Sequence, residues 1–594
     1  MNLLNGQQQA IKYLETEDYS SAKNYYEERI NHQPEIKSYY WYLGLFLLLQ
    51  GEEVEAQTTW LLAMTDGEPE DVECWTQDIK QILELAALQL ENKYDSAWLI
   101  RQHIREISPD DINNLLNLIN LSFQLKTYTG EDLTSWGIIE QLQQGTNQDI
   151  DVEYLLKTLD QVLNFDPLHP QSYELSKACI PYVNDPEKYI NILLKAAFQI
   201  GVVMSQPEQA GNLAELGLYL DENNLELIRQ VATFYQDSGN QEKGVGFAKK
   251  YYSILENKID RVFANYLIIR GLIHTGYGQS EECISLFKHQ KYLLDSYLRE
   301  KPNDLTEREV LQLYSASFFL PYFQDNLPEN LLIRHKIAQV CQRNIENQNS
   351  DIIQRNRQRY SLLKQNYETK PLKIGYVSHC LRTHSVGWLT RWLFQYHNRE
   401  NFKIYAYLIN AQGRVDDLQN WYVQNSDCAY EFPLYASEQI INTITKDELD
   451  IIVDLDSITL NFCCKIMALK LAPIQLSWLG WDASEVPTID YFIADPYVLP
   501  ENAQDHYQET IWRLPKTYIA VDGFEISNPS LRREHLNIPS DAIVFLTAQS
   551  GYKYNLETAK LQMQIIKSVP NSYFLIKDSI RDQDLVSRVF DSTS

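Results

Sequence analysis

"LDIIVDLDSITLNFCCKIMALKLAPIQLSWLGWDAS", residues 449–484, decides the fold of the second half of this 594-residue chain. It opens on a short apolar run, Ile451 to Val453, followed by Asp454 and Asp456. The stretch "TLNFCCKIMALKLA" then reads as a helix, and "PIQLSWLG" as a second short strand. Strand, helix and strand in direct succession form a crossover unit, because parallel strands need a long connection and a helix usually supplies it. The alternation extends upstream: "LKIGYVSH" (372–379) is a strand, "VGWLTRWLFQYH" a helix, "FKIYAYLIN" a strand and "ASEQIINTITKD" a helix. Downstream, "IDYFIADPYVLP" and "ETIWRLPKTYIA" add strands. The pattern predicts a parallel sheet covered by helices on both faces. Ligands in such sheets bind at the carboxyl ends of strands. Here those ends are Ser378 to His384, Asp454 to Thr459 and Leu479 to Ser484. A second set begins at "AIVFLTAQSGYKYN" (542–555), with the helix "LETAKLQMQIIKSV" and the strand "NSYFLIKDS".

The first half has a different period. In "YWYLGLFLLLQGEEVEAQTTWLLAM", Ala56, Trp60 and Ala63 follow Gly44 at offsets of 12, 16 and 19. Gly271, Cys283 and Phe287 repeat the first two offsets, and Ala10, Ala22 and Tyr26 show them near the start, with Pro34 closing the unit. A small residue on one helix lets the next approach closely, an aromatic one turn later fills the gap, and proline ends the unit. The spacing resembles tetratricopeptide repeats, which bind peptides or proteins along a concave face. The 39 tyrosines suit either that face or packing between helices.

The net charge is −28, which argues against a general nucleic-acid surface and leaves room for a local basic pocket. No apolar run approaches the ~18 residues of a membrane span, and the N-terminus lacks a signal-peptide pattern. The eight cysteines form no CxxC pair, as expected of isolated thiols in a reducing cytoplasm.

The second-half motifs "LKIGYVSHCLRTHSVGWL", "LAPIQLSWLGWDAS", "DYFIADPYVLP" and "SGYKYNLETAKLQMQIIKSVPNSYF" resemble the O-linked N-acetylglucosamine transferase family in its bacterial SPINDLY-like branch, over about residues 372–580. The resemblance implies a fold class of α followed by α/β. A helical superhelix of tetratricopeptide type spans 1–320, a helical connector 321–370, and a Rossmann-like catalytic lobe of GT-B type 371–535. The start of a truncated nucleotide-binding lobe occupies 536–594. It implies an inverting, metal-independent protein O-glycosyltransferase that moves N-acetylglucosamine, or another sugar, from a UDP-sugar donor to Ser or Thr of protein acceptors. No cofactor is implied. The alternative is a repeat scaffold with a vestigial catalytic half.

Carried over by position, His384 matches a histidine facing the acceptor, proposed as a base; the other reading is a cap on the following helix. Lys553 matches a lysine on the donor phosphates, and Tyr552 its neighbour. Leu479 and Gly480 match the loop lining the sugar pocket, where the missing side chain lets backbone approach the ligand. Trp481 would wall that pocket, and Trp478 belongs to the sheet core. Asp482 stands where the family has proline; it either bonds sugar hydroxyls or caps the next turn. Cys380 replaces an aspartate, Trp388 a second histidine and Ser550 a glutamine. Asp454 and Asp456 read as a polar pocket edge or cap rather than a metal pair. The threonine-rich loop that receives the diphosphate in the family is not found before Ser594. The expectation is therefore weak binding of UDP-sugars and poor transfer.

Overall fold

The computed structural model describes residues 6–145, 150–275, 278, 280–363, 371–409, 416–434, 436–519, 521–524, 528–550, 553–554, 556–577, 587 and 591. Two compact units are present. One comprises Met1–Ala197 with Leu213–Glu222, the other Phe198–Asn212 with Asn223–Ser594.

The first unit is helical throughout its described residues. Helix α1 (Lys37–Leu49) and helix α2 (Glu53–Met64) form the hairpin marked by Gly44, Ala56 and Trp60. Trp60 lies directly against Gly44: a Cβ added there would fall 2.1 Å from the indole Nε1. That nitrogen donates to the Trp41 carbonyl at 3.1 Å. Ala56 and Ala63 are buried in the same core cluster as Trp60. The aromatic therefore fills the space within the helix pair. Gly271 departs from the expected use, because its nearest neighbour is Val245 on the preceding helix, not the helix that carries Cys283. The helices of residues 223–363 belong to the second unit.

Helix α3 (Leu327–Gln348) falls in the expected connector but is no loose linker. Its Ile337, Ala338, Cys341 and Ile345 join one continuous core with Ile452, Phe462, Ile466 and Met467.

The second unit carries a seven-stranded sheet. Its strands are β1 (Leu372–Ser378), β2 (Phe402–Ile409), β3 (Cys428–Phe432), β4 (Ile451–Asp454), β5 (Ile474–Ser477), β6 (Tyr491–Ala494) and β7 (Thr510–Arg513). All six pairings are parallel, in the order β3-β2-β1-β4-β5-β6-β7. Helix α4 (Ser385–Tyr396) links β1 to β2, α5 (Asp417–Gln424) precedes β3, α6 (Ser437–Asp447) precedes β4, and α7 (Asn461–Ala468) links β4 to β5. Period-two alternation sorts the side chains. Val377, Tyr407 and Ile452 face the core shared with α3, α6 and α7. Tyr376, Ala406 and Val453 face the core shared with α4 and α5. On this second face a cavity of about 810 Å³ opens over β1 and β4–β7, bordered by Trp392, Tyr396 and Trp512. A separate parallel pair, β8 (Ile543–Thr547) and β9 (Ser572–Ile576), is joined by α8 (Leu556–Ser568). The expected order of a helical repeat region followed by a Rossmann-like lobe is present. Strand β3 and helix α5 go beyond the sequence reading.

Candidate active site

The strand order reverses between β1 and β4, so a crevice opens at their carboxyl ends. The side chains that meet there come from the two loops after these strands. Asp456 is 1% exposed and sits at the centre. Its Oδ1 accepts from Ser378 Oγ at 2.6 Å, and its Oδ2 accepts the His379 backbone N–H at 2.8 Å. His379 Nδ1 lies 2.8 Å from the same Oδ2, and Cys463 Sγ donates to it at 3.5 Å. Burial alone would favour a neutral carboxyl, but His379 and these donors hold Asp456 below the usual carboxylate range. Burial by itself would lower His379; the carboxylate outweighs it and lifts the imidazole to about 10. His379 and Asp456 therefore form an ion pair that bridges the two sides of the crevice.

Asp454 has a different environment. Its Oδ1 accepts the backbone N–H groups of Asp456 and Ser457 at 2.8 and 3.1 Å. Its Oδ2 is buried without a partner. Burial, then the neighbouring Asp456, raise it to about 7. Two carboxyls two residues apart thus hold their protons very differently, because only one has a cation beside it.

His384 is exposed at the N-terminus of α4, where its Nδ1 accepts the Val386 backbone N–H at 3.2 Å. Its ring centroid lies 6.4 Å from that of His379. Because Nδ1 is the acceptor, the proton of the neutral ring sits on Nε2. Partial burial first, then the positive His379 and Arg382, push its pKa down. Gly387 permits this turn, since a Cβ there would lie 2.1 Å from the Arg382 carbonyl.

The loop after β5 lies on the other side of β4. Leu479 has φ +79°, and Gly480 packs so tightly on the β4 loop that a Cβ would be 1.9 Å from the Leu455 carbonyl oxygen. The glycine is thus required by backbone packing within the protein. Trp481 stacks on Phe318 at 4.7 Å and on Tyr322 at 6.1 Å. Trp478 is buried against the sheet, and its Nε1 donates to the Tyr518 carbonyl at 3.0 Å.

Asp482 is taken up by protein groups. Its Oδ1 accepts from Tyr507 and from the Ala483 backbone N–H, and its Oδ2 lies 3.4 Å from Arg334 Nη1. Arg334 is 1% exposed and also donates to the Ala483 carbonyl at 2.8 Å. Behind it lie the buried Glu485 and Glu509, whose carboxyls burial pushes well up.

Four of the residues read from sequence, Leu479, Gly480, Trp481 and Asp482, form one loop, and Gly480 ties it through Leu455 and Asp456 to the histidine side. Lys553 follows β8 on the separate two-stranded sheet. It is exposed, with its backbone N–H on the Ser550 carbonyl at 3.0 Å. Tyr552 lies outside the described residues. Sequence reasoning missed His379 and Arg334. The signal for His379 was its place at the end of the β1 run; Arg334 gave none, being one cation on an amphipathic helix.

Residues 327–528 match the family model described as glycosyl transferase family 41. Among curated proteins, the chain is similar to a probable UDP-N-acetylglucosamine–peptide N-acetylglucosaminyltransferase SEC of Arabidopsis thaliana. That match is 30% identical over 211 residues, 34% of this chain and 21% of the relative. A probable SPINDLY enzyme of Solanum lycopersicum is 26% identical over 225 residues, 36% of this chain and 24% of the relative. The chain thus matches less than a quarter of the length of either curated relative. A solved Thermobaculum terrenum O-GlcNAc transferase is similar at 17% identity over 69% of this chain and 73% of that one, with TM-score 0.49. The resemblance to O-linked N-acetylglucosamine transferases is borne out over the matched region; the two curated relatives are plant proteins.

Proposed function

We propose that this chain works as a protein O-glycosyltransferase, moving N-acetylglucosamine or a related sugar from a UDP-sugar to Ser or Thr hydroxyls with inversion. The observation that supports it most is the crevice at the β1–β4 switch point, whose two histidines and adjoining Leu479–Asp482 loop fall inside the family-matched region. In this reading His384 meets the acceptor side, Leu479, Gly480 and Trp481 border the sugar, and Asp482 shapes the loop through Arg334 and Tyr507. Lys553 and Tyr552 meet the donor phosphates, where a cation offsets the charge growing on the leaving nucleotide. The transfer needs no resident metal or cofactor. Acceptor proteins lie along the helical repeats. The eight unbridged cysteines suit a cytoplasmic setting. No described helix is long and apolar enough to cross a membrane.

Titration calorimetry with UDP and transfer of radiolabelled sugar from UDP-N-acetylglucosamine to protein acceptors test the reading. Labelling that falls in both His384→Ala and Lys553→Ala is the expected result. Labelling indifferent to both substitutions, or no UDP binding at millimolar concentration, overturns it.

A further inference from the structure

His379 has a position that the proposed reaction does not use. It is the first residue after β1, on the loop that carries His384, and it is the only one of the two histidines bonded to a carboxylate among the described contacts. That carboxylate, Asp456, belongs to the neighbouring strand's loop and accepts three further hydrogen bonds, from Ser378, from the His379 backbone and from Cys463. A buried carboxylate with that many donors stays ionised, and an ionised carboxylate 2.8 Å from an imidazole nitrogen keeps the ring charged. A permanent positive charge then stands 6.4 Å from the ring of His384.

We propose that His379 is a positioning residue for the crevice: paired with Asp456, it holds a fixed positive charge that keeps His384 in its neutral, Nε2-protonated form. The cap on α4 selects the tautomer, because Val386 N–H occupies Nδ1. The charge on His379 opposes addition of the second proton. The assignment of a role to a neutral His384 in transfer rests on the glycosyltransferase reading; the effect of His379 on His384 does not.

Other charged groups face the pair from every side. Arg382, on the same loop, donates through Nε to the His379 carbonyl at 3.1 Å and adds positive charge. Cys380 Sγ lies 3.4 Å from His379 Nε2, and burial keeps its thiol protonated by raising it. Asp454 on β4 and Cys463 on α7 sit behind Asp456 and are both raised by burial. Asp416, the cap of α5, accepts from the Thr383 backbone and hydroxyl next to His384. Asp456 favours the charged form of His384, so the cation on His379 works against it.

The size of the effect follows from Coulomb's law. Two unit charges 6.4 Å apart interact, even at the dielectric constant of water, strongly enough to change a protonation ratio about threefold.

The test is nitrogen-15 NMR of the imidazoles in the full chain, labelled selectively at histidine, with His379→Asn and His384→Gln used for assignment. In the wild-type protein His379 stays doubly protonated through pH 8, while His384 is neutral at pH 7 with its proton on Nε2. In His379→Asn, which retains a donor for Asp456, the charged-to-neutral ratio of His384 at fixed pH rises about threefold or more. Wild-type His379 and His384 titrating together near pH 6.5 overturn the proposal, and this result needs no variant to fold. An unchanged His384 titration in a folded His379→Asn protein also overturns it. Absence of sugar transfer by the wild type would count against the glycosyltransferase reading and leave these NMR outcomes decisive for His379.

Discussion

Asp482→Ala should destabilise the sheet-bearing unit by about 2–4 kcal/mol, because it leaves Arg334 buried without its counter-charge. Arg334 projects from α3 and is 1% exposed, with one good hydrogen bond at 2.8 Å to the Ala483 carbonyl and a longer one at 3.4 Å to Asp482. The other acids nearby, Glu485 and Glu509, are pushed up by burial, so ionising them to replace Asp482 is costly. Breaking a buried ion pair from one side costs about 3–5 kcal/mol. The Asp482 side chain is 29% exposed, so solvent screens part of that. Loss of the acceptor for Tyr507, bonded at 2.8 Å, adds about 1 kcal/mol. Urea unfolding followed by near-UV circular dichroism reads the total. Since a chain of two units need not unfold in one step, hydrogen exchange across 479–486 reads the local effect. Arg334→Met in the same background removes the orphaned charge, so the double variant should lose less than the sum of the single variants by at least about 1 kcal/mol. A loss below about 0.5 kcal/mol in Asp482→Ala, or strict additivity, would refute the claim that this pair holds the loop.

Gly44→Val should cost the repeat unit about 1–3 kcal/mol through overpacking against Trp60, read as a lowered thermal midpoint; an unchanged midpoint would mean the helices part freely. Gly480→Ala places a methyl group 1.9 Å from the Leu455 carbonyl oxygen, so exchange protection in both the β4 and β5 loops should fall together; a change confined to one loop speaks against their contact. Asp454 titrates at about 7 because burial disfavours its charge, so the folded state binds its proton more tightly than the unfolded chain does. The stability it contributes is complete below the ordinary carboxyl range and is lost as pH rises through about 7. Asp454→Asn carries no such charge, and its urea midpoint should decline less between pH 5.5 and 8 than that of the wild type; parallel declines would show that Asp454 is ionised throughout.

The stretch 449–484 determined by itself that a parallel sheet would form. The apolar runs of β4 and β5 and the helix between them depend on residues that are neighbours along the chain, and the backbone responds to that local period. Gly44, Ala56 and Trp60 announced a close helix pair for the same reason. Strand β3 escaped notice because it is an edge strand with four of its five residues incompletely buried, so "CAYEF" carries no apolar run. The loop motifs placed His384 and Leu479–Asp482 at strand ends, but not the partners that set their chemistry. His379 and Asp456 lie 77 residues apart, and Arg334 and Asp482 lie 148 apart. Whether those groups meet depends on the strand order β1-β4-β5 and on α3 packing against the sheet. Only the tertiary structure decided which histidine would be charged, which carboxyl would keep its proton and why residue 480 must be glycine. Protonation and close backbone approach are set by the groups that surround an atom in space, and a one-dimensional pattern carries no record of those.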